Sequence, residues 1–525
     1  MNKRVPLLIA FTGMLGLAGG LALLGMQWSE GIWVFPLDDP YIHWAIGREI
    51  FASGNWGPSP FQFQLSSSSP LFSLSVGIPQ LLGISPFYWT LVVHVLIAFF
   101  LLKLWKSQAL FSYVPLSIQP LVLVLTSLLL PLHLLVLLGM EHLLHIFFCC
   151  WFLVELQKKP EEASWMKLTM IGMIMMGLRY ESLFVLIAFV MVQQNRDSLK
   201  IFLLSTTPMI LIGGYSLAKG GTFFPISVLG KGYSPTDTLT DFLLWSGRWM
   251  GVLYENPFML TLVVLVLFAL YFQTSIQIKK SGWMLLWTLG AHIQLAEVGG
   301  FRYEAYLVGM VATLLMGIPM QRKTWQTFDL HQKAIVGLLA CFLLLPLGMR
   351  TAFFTYQYPT FCQNIYQQPY LVGQFLATYY KGQSVGMNDI GAGSYFAQLQ
   401  LTDMVGIGDQ AVHNIRTSER YEIAVMDTLT QDREMRIAVV HDIWVGAVVP
   451  HHWTKVATWT IPHNVICADE TLSFYAVEEN EVEALKKNLI AFSDQIPSAV
   501  HIQLIPLADS VDSASSIPHS DNSSR

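Results

Sequence analysis

The chain has 525 residues, 53% of them hydrophobic and only 12% charged, with a formal net charge of −5. Charged residues stand at about half the ~25% of an ordinary soluble domain, which excludes a disordered chain and most soluble enzymes. The slight acidic balance offers no basic footprint for nucleic acid, and five cysteines are too few for a disulfide scaffold.

The apolar surplus must face lipid, so the expected fold is a polytopic α-helical membrane protein. Apolar runs follow one another at about 5–26, 86–105, 116–132, 137–156, 165–178, 181–194, 200–217, 256–273, 282–296, 304–320 and 333–349. These make eleven expected spans, several shorter than the ~20 residues a crossing helix needs. A further apolar stretch at 70–83 is a twelfth span or a helix dipping into the interface. With the N-terminus inside, the inner loops carry Lys3, Arg4, Lys103, Lys106, Lys158, Lys159, Lys167, Arg196, Lys200, Lys279, Lys280, Arg322, Lys323 and Lys333. This satisfies the positive-inside rule only if 70–83 does not cross. Residues 1–26 have the basic start of a signal peptide, but no small-x-small site precedes Gln27-Trp28-Ser29, so they read as an uncleaved first span.

Composition changes after Met349. Residues 350–506 mix apolar and polar residues at ordinary density, with β-rich runs at Ile437–Val440, Val445–Val449, Val456–Ile461 and Leu472–Val477 and helical candidates at Pro369–Lys381 and Glu479–Ile490. They are expected to form a soluble α/β domain, placed outside by an odd number of spans. Residues 507–525, rich in Ser and Asp, read as a disordered tail. The expected division is therefore a membrane domain over 1–349, with a first outer loop at 27–85, an extracytoplasmic domain over 350–506 and the tail. The expected location is a bacterial-type plasma membrane with a cytoplasmic N-terminus. Cys362 and Cys467 fall in the outer domain, where an oxidising compartment permits a disulfide; the sequence leaves that pairing open.

The first outer loop contains Leu37-Asp38-Asp39-Pro40, a short helical pattern with Ile42, Ile46 and Ile50 on one face, then Gly54-Asn55-Trp56-Gly57-Pro58 and Ser66-Ser67-Ser68-Ser69-Pro70-Leu71. Asp-Asp-Pro fits a helix N-cap, and equally a carboxylate held at the membrane surface as a general base. One Asp can cap while its neighbour faces a cavity.

This order resembles the GT-C superfamily of multi-span glycosyltransferases, which includes protein O-mannosyltransferases, lipid A aminoarabinose transferases and mycobacterial arabinofuranosyltransferases. Further motifs follow in family order: Gly139-Met140-Glu141, Leu178-Arg179-Tyr180-Glu181, Gly220-Gly221-Thr222-Phe223-Phe224-Pro225 with Lys231, Asn388-Asp389-Ile390-Gly391-Ala392-Gly393-Ser394-Tyr395 and Thr402-Asp403-Met404-Val405-Gly406-Ile407. The chain departs from the pattern at Asp39, where many relatives have Glu, at Tyr180, where Pro is usual, and at Ile226, where Asn is common. The resemblance covers roughly residues 5–410.

It implies a polyprenyl-phosphate sugar as donor and a hydroxyl of a glycan, lipid or protein as acceptor, joined with inversion on the outer face. A phosphate departs without a strong acid, so one carboxylate suffices as base. Asp38 is the first choice for that base and Asp39 the alternative or its orienting partner. Lys231 and Arg302 are the candidates for holding the donor phosphate. His43, Glu141, Arg179, Glu181 and Tyr303 are expected around the cavity, with Arg179 pairing Glu181 or Glu141. Glu141 and His145 share a helical face at a spacing that could hold a metal, but no third ligand is evident; a hydrogen-bonded polar patch is the simpler reading. No cofactor motif is present, no metal ligands are assigned, and a divalent ion is left open. The competing readings are a transporter or flippase, for which no matching halves are visible, and a non-catalytic envelope assembly protein. A reporter fused after Met349 should be detected on the outer side; a cytosolic signal would overturn the topology.

Overall fold

The computed structural model describes residues 4–506 except 62, 160, 163, 231–238, 274, 319–329 and 419. Lys231 and the expected tail at 507–525 lie outside the described residues.

Each apolar run forms helix, but helix length varies widely. Among the described residues, three helices are long and apolar enough to cross a membrane: Val5–Trp28, Pro86–Lys106 and Gly337–Tyr379. Two bent pairs, Arg196–Ser205 with Thr207–Ala218 and Leu244–Glu255 with Pro257–Phe272, raise this to five if each pair is one span. Five further apolar helices are shorter: Gln119–Leu129, His142–Gln157, Trp165–Leu178, Ser182–Gln193 and Ala305–Gly317. Length and composition therefore identify fewer spans than the eleven expected. The shortening has a local cause at one end of four of these helices. Glu141 starts His142–Gln157, Arg179 and Glu181 flank the turn between Trp165–Leu178 and Ser182–Gln193, and Glu304 starts Ala305–Gly317. These ionisable groups, buried or nearly so, meet each other rather than water, so the helices stop at a polar layer inside the protein. The stretch at 70–83 is the helix Pro70–Leu81. Its 12 residues are roughly 18 Å long against a ~30 Å hydrocarbon core.

The C-terminal region is built on a six-stranded sheet. Its strands are β1 (Ser384–Met387), β2 (Gln400–Asp403), β3 (Ile437–Val440), β4 (Thr454–Thr460), β5 (Thr471–Ala476) and β6 (His501–Leu504), in the order β2-β1-β3-β5-β4-β6. β1 pairs in parallel with both β2 and β3; the other pairs are antiparallel. The expected runs at β3, β4 and β5 are strands. Val445–Val449 is not: a helical turn (Asp442–Val445) and a 3-10 turn (Gly446–Val448) occupy it. The Asp442 carboxylate accepts bonds from Lys455 Nζ (2.6 Å), Ser473 Oγ and Tyr475 OH (both 2.8 Å), which turns the chain as soon as β3 ends. Val445 and Val448 then fill the smaller core on one sheet face, with Met404, Val412 and Met435. The larger core is continuous from Ala10 to Val500, so helices and sheet share one interior. The composition change at 349/350 falls inside the helix Leu330–Ile365, which runs through it unbroken. Cys362 and Cys467 are free thiols.

Two glycines bring the first-loop helices together. A Cβ on Gly47 would stand 2.5 Å from the Ser73 carbonyl oxygen and 2.9 Å from Gly77 N, and one on Gly77 would overlap the Gly47 carbonyl. The helices Asp39–Ala52 and Pro70–Leu81 thus pack backbone on backbone. Gly47→Ala should lower stability by about 1–3 kcal/mol, as overpacking does. The check is the thermal midpoint of the purified protein, which an unaffected variant would leave in place.

Candidate functional site

The helix Asp39–Ala52 begins where Asp38 and Pro40 predict, but the Asp38 side chain makes no capping bond to its own helix. Its carboxylate reaches across to the C-terminal region and accepts from Gly391 N (2.6 Å) and Ala392 N (2.8 Å). Those amides open the short helix Gly391–Ala397. At the other end of the same pair of helices, Arg48 donates to the Tyr395 carbonyl (2.6 Å) and the Ser394 carbonyl (3.2 Å). The loop therefore grips this helix with an anion at its N-terminal end and a cation toward its C-terminal end, the favourable sense for the helix dipole. Gly391 is required there, since a Cβ would overlap the Asp38 carbonyl and carboxylate. Burial and the neighbouring Asp389 push the Asp38 carboxyl well above the usual range, against the two amide bonds that favour its charged form.

Asp39 faces the opposite way, into a cavity of about 240 Å³. Its walls come from separate parts of the chain: Ser66, Ser67 and Ser68 of the first loop, Arg179, Tyr180 and Glu181, Phe224 and Ser227, Glu297 and Tyr303, and Ile390 and Ile407 from the C-terminal region. Asp39 forms an ion pair with Arg302. Arg302 also contacts Met140 Sδ (3.2 Å) and the Tyr303 hydroxyl (3.0 Å), and its guanidinium lies 4.8 Å from the Tyr303 ring centre. The turn that presents Arg302 is unusual: Gly299, Gly300 and Phe301 all have positive φ, at 134°, 61° and 53°. Glycine tolerates this and Phe301 does not do so readily. The Glu304 carboxylate holds the turn by accepting from Gly299 N (3.0 Å) while pairing with Arg350.

Arg179 pairs with both expected carboxylates, Glu141 (2.5 Å) and Glu181, and lies 5.7 Å from the Tyr303 ring centre. His43 is buried between Ser73 Oγ (3.0 Å from Nδ1) and Glu141 (3.6 Å from Nε2), and Ser73 Oγ is 2.8 Å from Ser67 Oγ. His145 bonds Ser182 Oγ at 2.9 Å, so the Glu141/His145 spacing serves hydrogen bonding. Among the described residues no group of three or more His, Cys, Asp or Glu is arranged as a metal site.

The structure thus brings Asp39, His43, Glu141, Arg179, Glu181, Arg302 and Tyr303 into one connected polar group; Asp38 and Glu141 stand outside the cavity lining, and Arg302 lines the adjoining second space instead. Lys231 lies outside the described residues. Glu297 was missed because a lone acid in an apolar run has no pattern. Ile390 and Ile407 sit inside motifs whose apolar positions carried no signal of their own. The loop bearing Ile407 is tied down by Asp403, which accepts from Val405 N (2.9 Å) and Gly408 N (2.6 Å) and whose carboxyl burial pushes up to about 6.

A second space, also about 240 Å³, adjoins the Asp39–Arg302 pair and is lined by Leu37, Phe301, Arg302, Phe354, Phe361 and Ile466 among others. Tyr303 and Glu297 line both spaces. Asp39 lines the first space and Arg302 the second, so the ion pair stands between a largely apolar cavity that carries Asp39, His43 and three serines and a space walled by Phe301, Phe354 and Phe361.

Comparison with known proteins gives three findings. A family described as a domain of unknown function (DUF8728) matches residues 363–475. No curated protein is matched by the sequence. Among solved structures, the chain is similar to ArnT from Cupriavidus metallidurans bound to undecaprenyl phosphate, at 12% identity over 89% of this chain and 98% of that one, with a TM-score of 0.47. It is also similar to the arabinofuranosyltransferase AftD from Mycobacteria, at 14% identity over 89% of this chain and 42% of that one, with a TM-score of 0.42.

The geometry separates the two aspartates experimentally. Asp38→Asn leaves one of the two amides at Gly391 and Ala392 without an acceptor, which costs about 1–3 kcal/mol. It should speed amide exchange across 391–397, whereas Asp39→Asn should leave that segment protected; hydrogen-exchange mass spectrometry reads both.

Proposed function

We propose that this protein is an integral-membrane glycosyltransferase that moves a sugar from a polyprenyl phosphate to an acceptor hydroxyl on the outer face, with Asp39 as general base. The observation that carries the reading is the Asp39–Arg302 pair where a mainly apolar cavity bearing a few polar side chains meets an aromatic-walled space. A lipid-linked sugar has the matching parts: an apolar chain, an anionic phosphate and a polar sugar. The ordered family motifs of the sequence support the same chemistry, since most of them contribute a residue to this cavity.

In the proposed reaction the acceptor oxygen attacks the anomeric carbon from the side opposite the phosphate. The new C–O bond forms as the bond from that carbon to the phosphate oxygen breaks, and configuration inverts. The electron pair of the broken bond stays on the phosphate, where Arg302 can offer two N–H donors. The acceptor proton passes to Asp39. Arg302 connects the two events. A donor phosphate competes with Asp39 for the guanidinium, and a carboxylate that loses its counter-ion becomes a stronger base. Arg179 is already committed to two carboxylates, so its proposed role is to fix Tyr303 and Glu181 at the cavity wall.

This assignment moves the base from Asp38, whose carboxylate is engaged by two backbone amides, to Asp39. Lys231 stays in the proposal as a second phosphate contact on the strength of the motif alone.

Asp39→Asn should lower kcat for transfer about 10²–10⁴-fold, the usual worth of a general base, with the donor KM little changed. Arg302→Ala should raise the donor KM. The assay is transfer of labelled sugar from lipid-linked donors by the protein in nanodiscs. Full activity of Asp39→Asn would overturn the assignment.

A further inference from the structure

A separate polar pocket of about 330 Å³ lies between the first outer loop and the edge strand β2, and no residue lines both it and the Asp39 cavity. Ser59, Phe61 and Gln64 form the loop side; Gln400, Thr402 and Asp432 face them. Both walls are built. The Asn55 side chain closes the loop on itself, donating to the Ser59 carbonyl (2.5 Å) and accepting from Gln64 N (3.1 Å), while Ser59 Oγ fastens the loop to the Leu399 carbonyl (3.1 Å). On the other side Arg433 is held by Asp409 and by Thr402 Oγ1 (3.0 Å). Glu434, at the rim, has a φ of 50° because it ends the helix Ile423–Asp432, with Glu434 N donating to the Gln431 carbonyl (2.9 Å) and Met435 N to the Thr430 carbonyl (3.0 Å).

The lining selects a ligand class. Phe61 remains 57% exposed, so its ring offers a face to something other than the core. Around it stand carboxamides, hydroxyls and the carboxylates of Asp432 and Glu434, while Arg433 is occupied by Asp409. A lipid chain would find only Phe61 and Leu401 as apolar lining, and an anion would meet two carboxylates. A neutral sugar ring fits: its C–H face stacks on an aromatic ring, and its adjacent hydroxyls pair with side chains that carry two polar atoms in one plane.

The pocket also lies close to the proposed reaction centre. Gln64 lines it and Ser66 lines the Asp39 cavity, so at most about 7 Å of extended chain separates the two linings. The C-terminal region repeats this arrangement, with Thr402 on the outer pocket and Ile407 on the inner cavity. We propose that this pocket binds inner sugar units of a neutral oligosaccharide acceptor whose terminal hydroxyl reaches Asp39. Its acceptor role rests on the transferase reading above; its saccharide binding does not.

The test has two arms. In the first, binding of maltohexaose, cellohexaose and chitohexaose to the full-length protein in nanodiscs is followed by saturation-transfer NMR. At least one should bind the wild type and lose about tenfold or more in affinity with Phe61→Ala and with Asp432→Asn, a loss of about 1.4 kcal/mol. Phe61 is exposed, so its loss leaves packing intact. No binding by any of the three, or equal binding by wild type and both pocket variants, overturns the proposal. In the second arm, labelled lipid-linked sugars and the glycan fraction of the producing cells are the substrates. Phe61→Ala should raise the acceptor KM and leave the donor KM unchanged; an unchanged acceptor KM overturns the acceptor role. A wild type that binds saccharide through Phe61 but transfers nothing retains the binding site and removes the transferase reading.

Discussion

The arrangement depends on one contact, the Asp38 carboxylate on the amides of Gly391 and Ala392. It joins residues more than 350 positions apart in the chain. With Arg48 at the other end, it locks the loop after the first helix onto a seven-residue helix of the C-terminal region. That helix follows β1, beside which the chain runs to β2 on one side and to β3 on the other. In open sheets with parallel strands, the C-terminal strand ends at such a switch point form a crevice that commonly receives a ligand. Here the crevice receives the protein's own loop. Because Asp38 is anchored, its neighbour is rotated the other way, and Asp39 enters the cavity with Ile390 and Ile407 completing the wall.

A second constraint is the polar layer within the helices. Glu141, Arg179, Glu181 and Glu304 each sit at or just beyond a helix end. Ionisable groups in an apolar interior must be paired, because desolvating a lone charge costs more than a helix turn can return. The short helices and the ion pairs are thus one feature. The chain breaks its helices where the pairs require it, and the space left between the broken ends is lined by Arg179 and Glu181, with Glu141 and Glu304 buried behind it. A transporter-like arrangement would distribute such groups through the middle of two related halves; this chain gathers them at one end of several unrelated helices.

The legible part of the fold was everything governed by local pattern. Each apolar run is helical, and β3, β4 and β5 lie within a few residues of the runs that predict them. β1 was not legible, since Ser384-Val385-Gly386-Met387 is short and interrupted by a glycine whose Cβ would meet Met435 Sδ at 2.8 Å. Val445–Val449 misled for the converse reason: its apolar composition suits a strand, but the tethered Asp442 turns the chain first. In the site, charged residues in an apolar background were conspicuous, and seven of them, with Tyr303 and His43 counted, prove to be neighbours. The apolar and hydroxyl walls, Ile390, Ile407 and Ser227, had nothing to distinguish them from packing residues.

The sequence by itself determined that the chain is rich in membrane-compatible helix, that a mixed α/β region follows, and that a few charges stand where topology does not require them. Composition and periodicity are local properties, and these conclusions need nothing more. Only the tertiary structure decided which of two adjacent aspartates meets the cavity. Asp38 and Asp39 are chemically identical and one residue apart, so no local rule can tell them apart. Successive residues on a helix point about 100° away from each other. The partner that fixes that rotation, the Gly391–Ala392 amide pair, lies at the far end of the chain and comes near only when the whole protein has folded.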